Sequence, residues 1–246
     1  MASEDMTMAD TNDKEKIKEA VARKKKAVYT PVVPEVQLGF VHNNVDCIGC
    51  RACEIACKDK NGLMPGPRFR RVQYVEGGTY PNVYAYKVNL SCNHCAEPAC
   101  LPTCPTGAIW KRKDNGIVDI DSTLCIGCRR CEAACPYGAP QFIPELNIVG
   151  KCNLCVDEID AGRKPYCVMA CMMRTLDVGP ISELRENTYF TKAIGPHETP
   201  VRAVKNFANP ELTNPSIVFV AHSKGVPDSA PASSGTPPSV SGEVDK

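Results

Sequence analysis

Sixteen cysteines, spaced in four groups of four, are the residues of this chain whose type and spacing could do chemistry. Group one is Cys47, Cys50, Cys53 and Cys57, and group two is Cys92, Cys95, Cys100 and Cys104. Group three is Cys125, Cys128, Cys131 and Cys135, and group four is Cys152, Cys155, Cys167 and Cys171. Such density indicates either metal centres or a disulfide framework.

The rest of the sequence argues against disulfides, which are typical of short secreted chains. The N-terminal segment has no apolar stretch and no twin-arginine pair, so we expect neither a secretory signal nor an anchor. No run approaches the length of a membrane span, and SIVFVA (216–221) is among the longest apolar stretches. We therefore expect assembly in the reducing cytoplasm, where dense cysteines hold metals or clusters.

The spacing of group three is that of a cubane iron–sulfur cluster site. CIGCRRCEAACP (125–136) matches the C-x2-C-x2-C-x3-C-P run of two-cluster ferredoxins, in which the fourth cysteine serves the other cluster. Group one has the same spacing but is followed by Lys58, and group two has one longer gap. Group four has eleven residues between Cys155 and Cys167. Sixteen ligands, at four per cluster, predict four [4Fe–4S] clusters with no cysteine left over.

Zinc is the competing metal, because structural zinc sites combine two short cysteine pairs across a longer gap. Groups two and four could each supply such a site. Groups one and three fit poorly, since their middle cysteines would crowd a tetrahedral ion. A zinc-binding structural protein therefore stays as an alternative, which visible absorption by iron–sulfur clusters would exclude.

The segments between the cysteines predict an α+β fold with short strands, short helices and long loops. Strand candidates are RRVQYV (70–75), VYAYKVNL (83–90) and IWKRKDNGIVDI (109–120). The last contains Asp114-Asn115-Gly116, a strong hairpin signal. We expect short helices immediately after the cysteine runs.

The sequence contains two kinds of cysteine arm, since groups one and three share Cys-Ile-Gly-Cys-Arg and groups two and four share Cys-Asn-x-Cys. Spacing permits pairing of groups two with three and one with four, and equally of one with two and three with four. Residues 1–35 are polar and basic and predict an arm, and residues 224–246, rich in Ser, Pro and Gly, predict a tail without a core.

Four segments carry a resemblance to a known family, and they are CIGCRACEIACKDKNGL (47–63), LSCNHCAEPACLPTCPTGAIWKR (90–112), CIGCRRCEAACPYGAPQF (125–142) and KCNLCVDEIDAGRKPYCVMACMMRTLDVGPISELR (151–185). With them the chain resembles the four-cluster ferredoxin-type subunit of molybdopterin oxidoreductase complexes, and is especially similar to the electron-transfer subunits of anaerobic dimethyl sulfoxide reductases. The resemblance spans roughly residues 38–185 and departs from the family at Met172, where proline is expected after Cys171.

This resemblance implies two interleaved bacterial-type two-cluster ferredoxin modules, residues 36–88 with 145–185 and residues 89–144, followed by a C-terminal extension and tail over 186–246. It also implies that each cluster takes three cysteines from one group and one from another. The implied ligand sets are Cys47, Cys50, Cys53, Cys171; Cys57, Cys152, Cys155, Cys167; Cys92, Cys95, Cys100, Cys135; and Cys104, Cys125, Cys128, Cys131.

The function implied by the resemblance is electron transfer from a quinol-oxidising integral membrane anchor subunit to a molybdopterin catalytic subunit. The group-one cluster would lie toward molybdenum and the group-three cluster toward quinol. Alternatives with the same role are complexes for polysulfide, thiosulfate, tetrathionate or nitrite reduction, or formate oxidation. We expect a peripheral membrane location, on a side that the sequence leaves open because a folded subunit can be exported with a partner that carries the signal.

No P-loop, GxGxxG motif or Ser-His-Asp set is evident, so we expect no substrate chemistry in this chain, and a net charge of +1 gives no sign of nucleic-acid binding. Four cations flank the cysteines and are expected either to raise cluster potentials and aid docking or to be ordinary surface charges. These are Arg51, Lys58, Arg129 and Arg130.

Five further neighbours of the cysteines have predicted structural roles. His94 is expected to be a hydrogen-bonding neighbour rather than a ligand, because four thiolates are already available. Pro105 and Pro136 are expected to form turns, and Trp110 and Tyr137 to be packing residues rather than electron relays.

Overall fold

The computed structural model describes residues 32–185, 200–204 and 207–221, and within them the fold is α+β. The strands are β1 (Leu38–Asn43), β2 (Arg71–Gly77), β3 (Tyr84–Leu90), β4 (Ile109–Lys111), β5 (Val118–Ile120), β6 (Gln141–Ile143), β7 (Ile148–Gly150), β8 (Leu176–Pro180), β9 (Pro200–Val201) and β10 (Ile217–Val220). The α-helices are α1 (Ala52–Lys60), α2 (Cys100–Thr103), α3 (Arg130–Ala134), α4 (Val156–Asp160), α5 (Tyr166–Met169) and α6 (Ile181–Arg185). A 3-10 turn covers Pro210–Leu212.

The largest sheet has four strands in the order β8-β1-β10-β9. Strand β1 is antiparallel to β8 and parallel to β10, with Phe40 opposite both Val178 and Ile217. Every residue of β10 is buried, which explains why this segment is among the longest apolar runs of the sequence. Part of the C-terminal extension is therefore an interior strand of the fold.

Three two-stranded hairpins, β2–β3, β4–β5 and β6–β7, connect the cysteine groups. The first two confirm the predicted strands, and Gly116 provides the positive φ, 70°, that the predicted turn after β4 needs. Hairpin β6–β7 was not among the predicted strands, and its loop contains the expected module boundary between residues 144 and 145.

Helices α1 to α5 begin inside the cysteine groups and not immediately after them, contrary to the prediction, and α6 lies beyond group four. Helix α1 contains Cys53 and Cys57, and α3 contains Cys131 and ends just before Cys135. The reason is local: Arg51 and Arg129 adopt left-handed backbone, with φ of 60° and 58°, so the chain turns sharply after the second cysteine and a helix starts at once.

The cysteines are themselves core side chains, since ten of the sixteen are buried. The largest hydrophobic cluster combines them with aromatic residues such as Phe40, Phe207 and Phe219. Phe219 has no exposed surface and meets the Phe207 ring edge-on, with centroids 5.2 Å apart. Strand β10 thus closes the core over the cysteine region.

Residues 1–31 of the predicted arm and residues 224–246 of the predicted tail lie outside the described residues. Within the described ranges, none of the helices has the length and apolar character needed to cross a membrane.

Truncating Phe219 tests the contribution of β10. Phe219→Ala should destabilise the holoprotein by about 3–5 kcal/mol, because it removes a fully buried ring and leaves a cavity. Anaerobic thermal unfolding followed by circular dichroism measures the effect. Leu212→Ala, at a side chain 54% exposed, is the control and should change stability by less than about 0.5 kcal/mol. Equal midpoints for the two variants would contradict a core role for β10.

Candidate functional site

In three places, four thiols drawn from two different groups line one cavity. Cys47, Cys50, Cys53 and Cys171 form set one; Cys92, Cys95, Cys100 and Cys135 form set three; and Cys104, Cys125, Cys128 and Cys131 form set four. The three cavities enclose about 320, 360 and 310 Å³ respectively, counting space open to solvent. Their similar size and identical thiol content indicate the same kind of occupant.

The remaining four cysteines, Cys57, Cys152, Cys155 and Cys167, form set two. Burial is the main cause that raises the pKa of Cys57, and the neighbouring charges of the other three thiols raise it further. All four are buried. Every described cysteine thus belongs to one of four sets, each with three members from one group and one from another.

Helix packing brings the groups together in pairs. Helix α1 of group one packs against α5 of group four, and α2 of group two packs against α3 of group three. Cys53 and Cys57 are one turn apart on α1, so one helix contributes to two sets.

The residue before the second cysteine of each group has left-handed backbone. These residues are Gly49, His94, Gly127 and Leu154, with φ of 73°, 42°, 67° and 63°. The turn lets the first and second cysteines face one cavity. At Gly127 a Cβ would lie 2.4 Å from the Asn147 carbonyl oxygen, so only glycine fits, whereas groups two and four accept a side chain there.

Amide groups donate hydrogen bonds to several thiols. The Asn89 side chain donates to Cys53 Sγ at 3.2 Å, and the backbone N–H groups of Val149 and Leu154 donate to Cys125 and Cys152 Sγ at 3.3 and 3.4 Å. Donors of this kind stabilise a thiolate and tune the potential of a cluster bound to it.

Burial keeps most of the thiols protonated when no metal is bound. It raises the pKa of Cys95 to about 12 and the pKa values of Cys131 and Cys152 to about 11. Cluster binding requires thiolates and therefore releases protons from these sites.

An unpartnered amide at set three has an N–H group available to an anionic, sulfur-rich group. Asn93 lines the cavity of set three and is buried, and neither its amide oxygen nor its amide nitrogen has a hydrogen-bond partner. A buried amide left without partners is costly, and the sulfur atoms of a cluster would accept its N–H group. The residues present therefore fit an iron–sulfur cluster.

Three buried cations that the sequence analysis did not single out lie among the sets. Arg70 and Lys151 are 2% and 5% exposed, and Lys111, 6% exposed, interacts electrostatically with Cys95 of set three. Arg70 interacts electrostatically with cysteines of sets one and two, and Lys151 with cysteines of sets two and three. Arg70 lies in sequence well away from the cysteine motifs, and Lys151 directly precedes Cys152.

The cations predicted from the motifs lie at the surface. Arg51, Arg129 and Arg130 are exposed, and Lys58 is half-buried. Arg129 pairs with Glu132 at 2.7 Å, and Lys58 donates to the Met64 carbonyl at 2.7 Å.

His94 is a hydrogen-bonding neighbour, as predicted: the Val118 N–H group donates to its Nδ1 at 3.0 Å. Pro105 lies in a bend and Pro136 in a turn, which also confirms their prediction.

Of the two predicted packing residues, Tyr137 is buried and stacks on Phe207 with centroids 4.8 Å apart. The prediction for Trp110 was wrong, because this ring is 47% exposed on the short strand β4.

In the described part of the chain, no group of three or more His, Cys, Asp or Glu side chains could hold a single metal ion.

Comparison with known proteins identifies the family. Residues 83–181 match the family described as a 4Fe-4S dicluster domain. One chain of the anaerobic dimethyl sulfoxide reductase of Escherichia coli is 42% identical over 203 residues, covering 77% of this chain and 98% of that protein. The chain therefore belongs to the ferredoxin-type electron-transfer subunit family.

Other members of this electron-transfer subunit family are similar over shorter spans. A subunit of the sulfite dehydrogenase of Allochromatium vinosum is 42% identical over 156 residues, 55% of this chain and 65% of that protein. The thiosulfate reductase electron transfer subunit of Salmonella typhi is 39% identical over 152 residues, 60% of this chain and 78% of that protein.

Family membership establishes the cofactors as [4Fe–4S] clusters, and sixteen cysteines supply ligands for four. This family membership argues against the alternative of a zinc-binding structural protein. Each of the relatives named above is one component of a larger oxidoreductase, which agrees with an electron-transfer role.

The glycine of the third group provides a test of the loop geometry. Gly127→Ala should damage set four, because the added Cβ meets a backbone oxygen at 2.4 Å and forces the two flanking cysteines apart. Anaerobically purified protein should then contain about three quarters of the iron and acid-labile sulfide of the parent, in proportion to one cluster lost of four.

The matched control is Gly107→Ala, which has the same left-handed backbone, with φ of 74°, but open space around its Cβ. It should retain the full iron content. Equal losses in both variants would mean that backbone strain, and not the contact with Asn147, matters.

Proposed function

We propose that sets one to four each hold one [4Fe–4S] cluster, and that this chain passes electrons from a quinol-oxidising membrane anchor subunit to a molybdopterin catalytic subunit. When bound, such clusters supply one-electron transfer. The observation that carries the proposal is the arrangement of the sets in a row whose two ends reach the surface.

The order of the row follows from shared elements. Sets one and two share helix α1, and Cys53 of set one is close enough to Cys167 of set two to affect its pKa. Sets two and three adjoin at Cys152 and Cys92. Sets three and four share the segment of α2, with Cys100 in one and Cys104 in the other.

The ends of the row differ from its middle in exposure. Cys50 of set one and Cys128 of set four are exposed, whereas all four cysteines of set two and three of set three are buried. Beside them, Ile48 and Ile126 are 52% and 53% exposed. An exposed apolar side chain next to a cluster-ligating cysteine suits a surface that a partner protein covers. The apolar contact stabilises docking, and docking there brings the partner close to the cluster.

The family relationship supports the direction of the row, with set one toward the catalytic subunit and set four toward the anchor. We propose a dimethyl sulfoxide reductase as the complex, because the similarity to the Escherichia coli relative covers nearly the whole length of that protein. The same role in a sulfur-oxyanion, polysulfide, nitrite or formate complex is the alternative, and the sulfite and thiosulfate relatives favour the sulfur-oxyanion class within it.

We also propose two interleaved ferredoxin modules, residues 36–88 with 145–185 and residues 89–144. The packing of α1 on α5 and of α2 on α3 supports this division. The chain would lie at the membrane surface through the anchor subunit, on a side that depends on export of the catalytic partner. The catalytic chemistry would belong to the molybdopterin subunit.

The proposal is tested by anaerobic co-purification with the products of neighbouring genes. We expect about four clusters for each copy of this chain, counted as iron, acid-labile sulfide and reduced-state paramagnetic resonance, and a co-purifying molybdenum subunit. Turnover with dimethyl sulfoxide and with thiosulfate then separates the two complexes. Stoichiometric zinc without sulfide would overturn the assignment.

Two serine variants test the direction of the row. Cys128→Ser should remove the exposed ligand at the quinol end, so that quinol no longer reduces the remaining clusters while artificial donors still drive the catalytic subunit. Cys50→Ser should let quinol reduce the remaining clusters, which substrate then fails to reoxidise. Paramagnetic resonance of the two steady states reports the difference, and the reverse pattern would invert the assigned direction.

A further inference from the structure

Arg70 is a buried cation without a carboxylate partner among the described residues. Its side chain is 2% exposed, and two of its three guanidinium nitrogens, Nε and Nη2, have no hydrogen-bond partner. The third, Nη1, donates to Asn89 Oδ1 at 2.6 Å. The guanidinium also stacks over the Phe40 ring, 4.3 Å from its centroid. A buried charge that is compensated this poorly would normally be destabilising by several kcal/mol.

The groups that surround Arg70 are ligands of two neighbouring sets. It interacts electrostatically with Cys53 of set one and with Cys57, Cys152 and Cys167 of set two. Burial alone lowers the pKa of Arg70, and the interaction with these cysteines in their anionic form acts in the opposite direction and raises it above its ordinary value. The cation is therefore compensated only when the cysteines around it carry negative charge.

A hydrogen-bonded path joins Arg70 to one ligand through the side chain of Asn89. Arg70 Nη1 donates to Asn89 Oδ1, and Asn89 Nδ2 donates to Cys53 Sγ at 3.2 Å. A charge-assisted bond polarises the amide, which strengthens its second bond to the sulfur. Arg70 thus acts on set one through Asn89 as well as through space.

Lys151 has the corresponding place between sets two and three. It is 5% exposed, lines the cavity of set three, and donates to the carbonyls of Val118 and Cys152. Its electrostatic neighbours are Cys92 and Cys100 of set three, Cys152 of set two, and the carboxylate of Asp119. Like Arg70, it lies where two successive sets adjoin.

We propose that Arg70 and Lys151 set the reduction potentials of the inner part of the row, Arg70 raising those of the clusters in sets one and two, and Lys151 those in sets two and three. This rests on the proposed function, in which each set holds one cluster. Uptake of one electron adds one negative charge to a cluster, and a buried cation stabilises the reduced form most where water is excluded.

The placement has a specific consequence for set two. It adjoins both cations, so the reduction potential of its cluster is raised twice, whereas no cysteine of set four is among the largest electrostatic interactions of either cation. The inner cluster of set two is therefore expected to hold an electron more readily than the cluster of set four.

Neutral variants of the assembled holocomplex test the proposal by redox titration with paramagnetic resonance. In Arg70→Met, the ratio of reduced to oxidised cluster at a fixed potential should fall at least tenfold for sets one and two, a midpoint about 59 mV lower for a one-electron couple. The ratios for sets three and four should be unchanged. In Lys151→Met, the same loss should appear at sets two and three and not at set one.

Arg68→Met is the matched control, since it removes a cation from the same segment whose side chain is 45% exposed. Solvent screens that charge, so its ratios should stay within about twofold of the parent. Asn89→Leu separates the path from the charge: it should lower the ratio for set one alone, because Arg70 remains beside set two.

Iron and sulfide content distinguishes failure of this inference from failure of the proposed function. Four clusters with parental midpoints in both neutral variants would overturn the role of the cations and leave the row intact. Where a neutral variant loses clusters, Arg70→Lys and Lys151→Arg keep the charge and should restore both content and midpoints. The role of the cations would also be overturned if these charge-keeping variants regained their clusters but had lowered midpoints. The drop would have to be as large as in a neutral variant that assembles, or as in Asn89→Leu.

Discussion

Each cysteine set needs side chains from two distant parts of the chain, and the rest of the architecture depends on this crossing. Helix α1 can serve sets one and two only because group four folds back onto it. In the same way, group three folds back onto group two, so that α3 packs against α2. The hairpins between the groups are short connectors that permit this return, and the sheet of β8, β1, β10 and β9 closes the region where groups one and four come together. Small sheets suffice because the buried thiols and what they bind replace much of a hydrophobic core.

The interior that results is unusual in its electrostatics. Burial raises the pKa of most thiols, so an interior without metal would contain neutral cysteines beside buried cations, among them Arg70 and Lys151. Anionic clusters on thiolate ligands reverse this imbalance. Folding and cluster binding are therefore coupled through charge as well as through coordination, because filled sites give Arg70 its counter-charge and add to the one that Asp119 gives Lys151.

The sequence predicts the kind of cofactor because the spacing of its ligands is local. Spacing and turn-forming residues, such as Gly127 and the turn before Gly116, act within a few positions, and the predicted hairpins have the expected strands. The family resemblance adds the pairing of groups, which spacing leaves open. What the sequence could not predict depends on contacts between distant segments: β10 pairs with β1 across most of the chain, and Arg70, in a run of basic residues, gives no local sign that it is buried. The cations beside the motifs, which local spacing made prominent, lie instead at the surface.

The nesting of the proposed sets has a consequence for biosynthesis. The last cysteine of set four is Cys131, followed by Cys135 for set three, Cys167 for set two and Cys171 for set one. As the chain leaves the ribosome, the sets become complete in that order, from the proposed quinol end toward the catalytic end. Strand β10 follows later still, so the sheet beside set one is closed only after every ligand has been made. The part of the protein that would face the catalytic partner is thus the last to be finished.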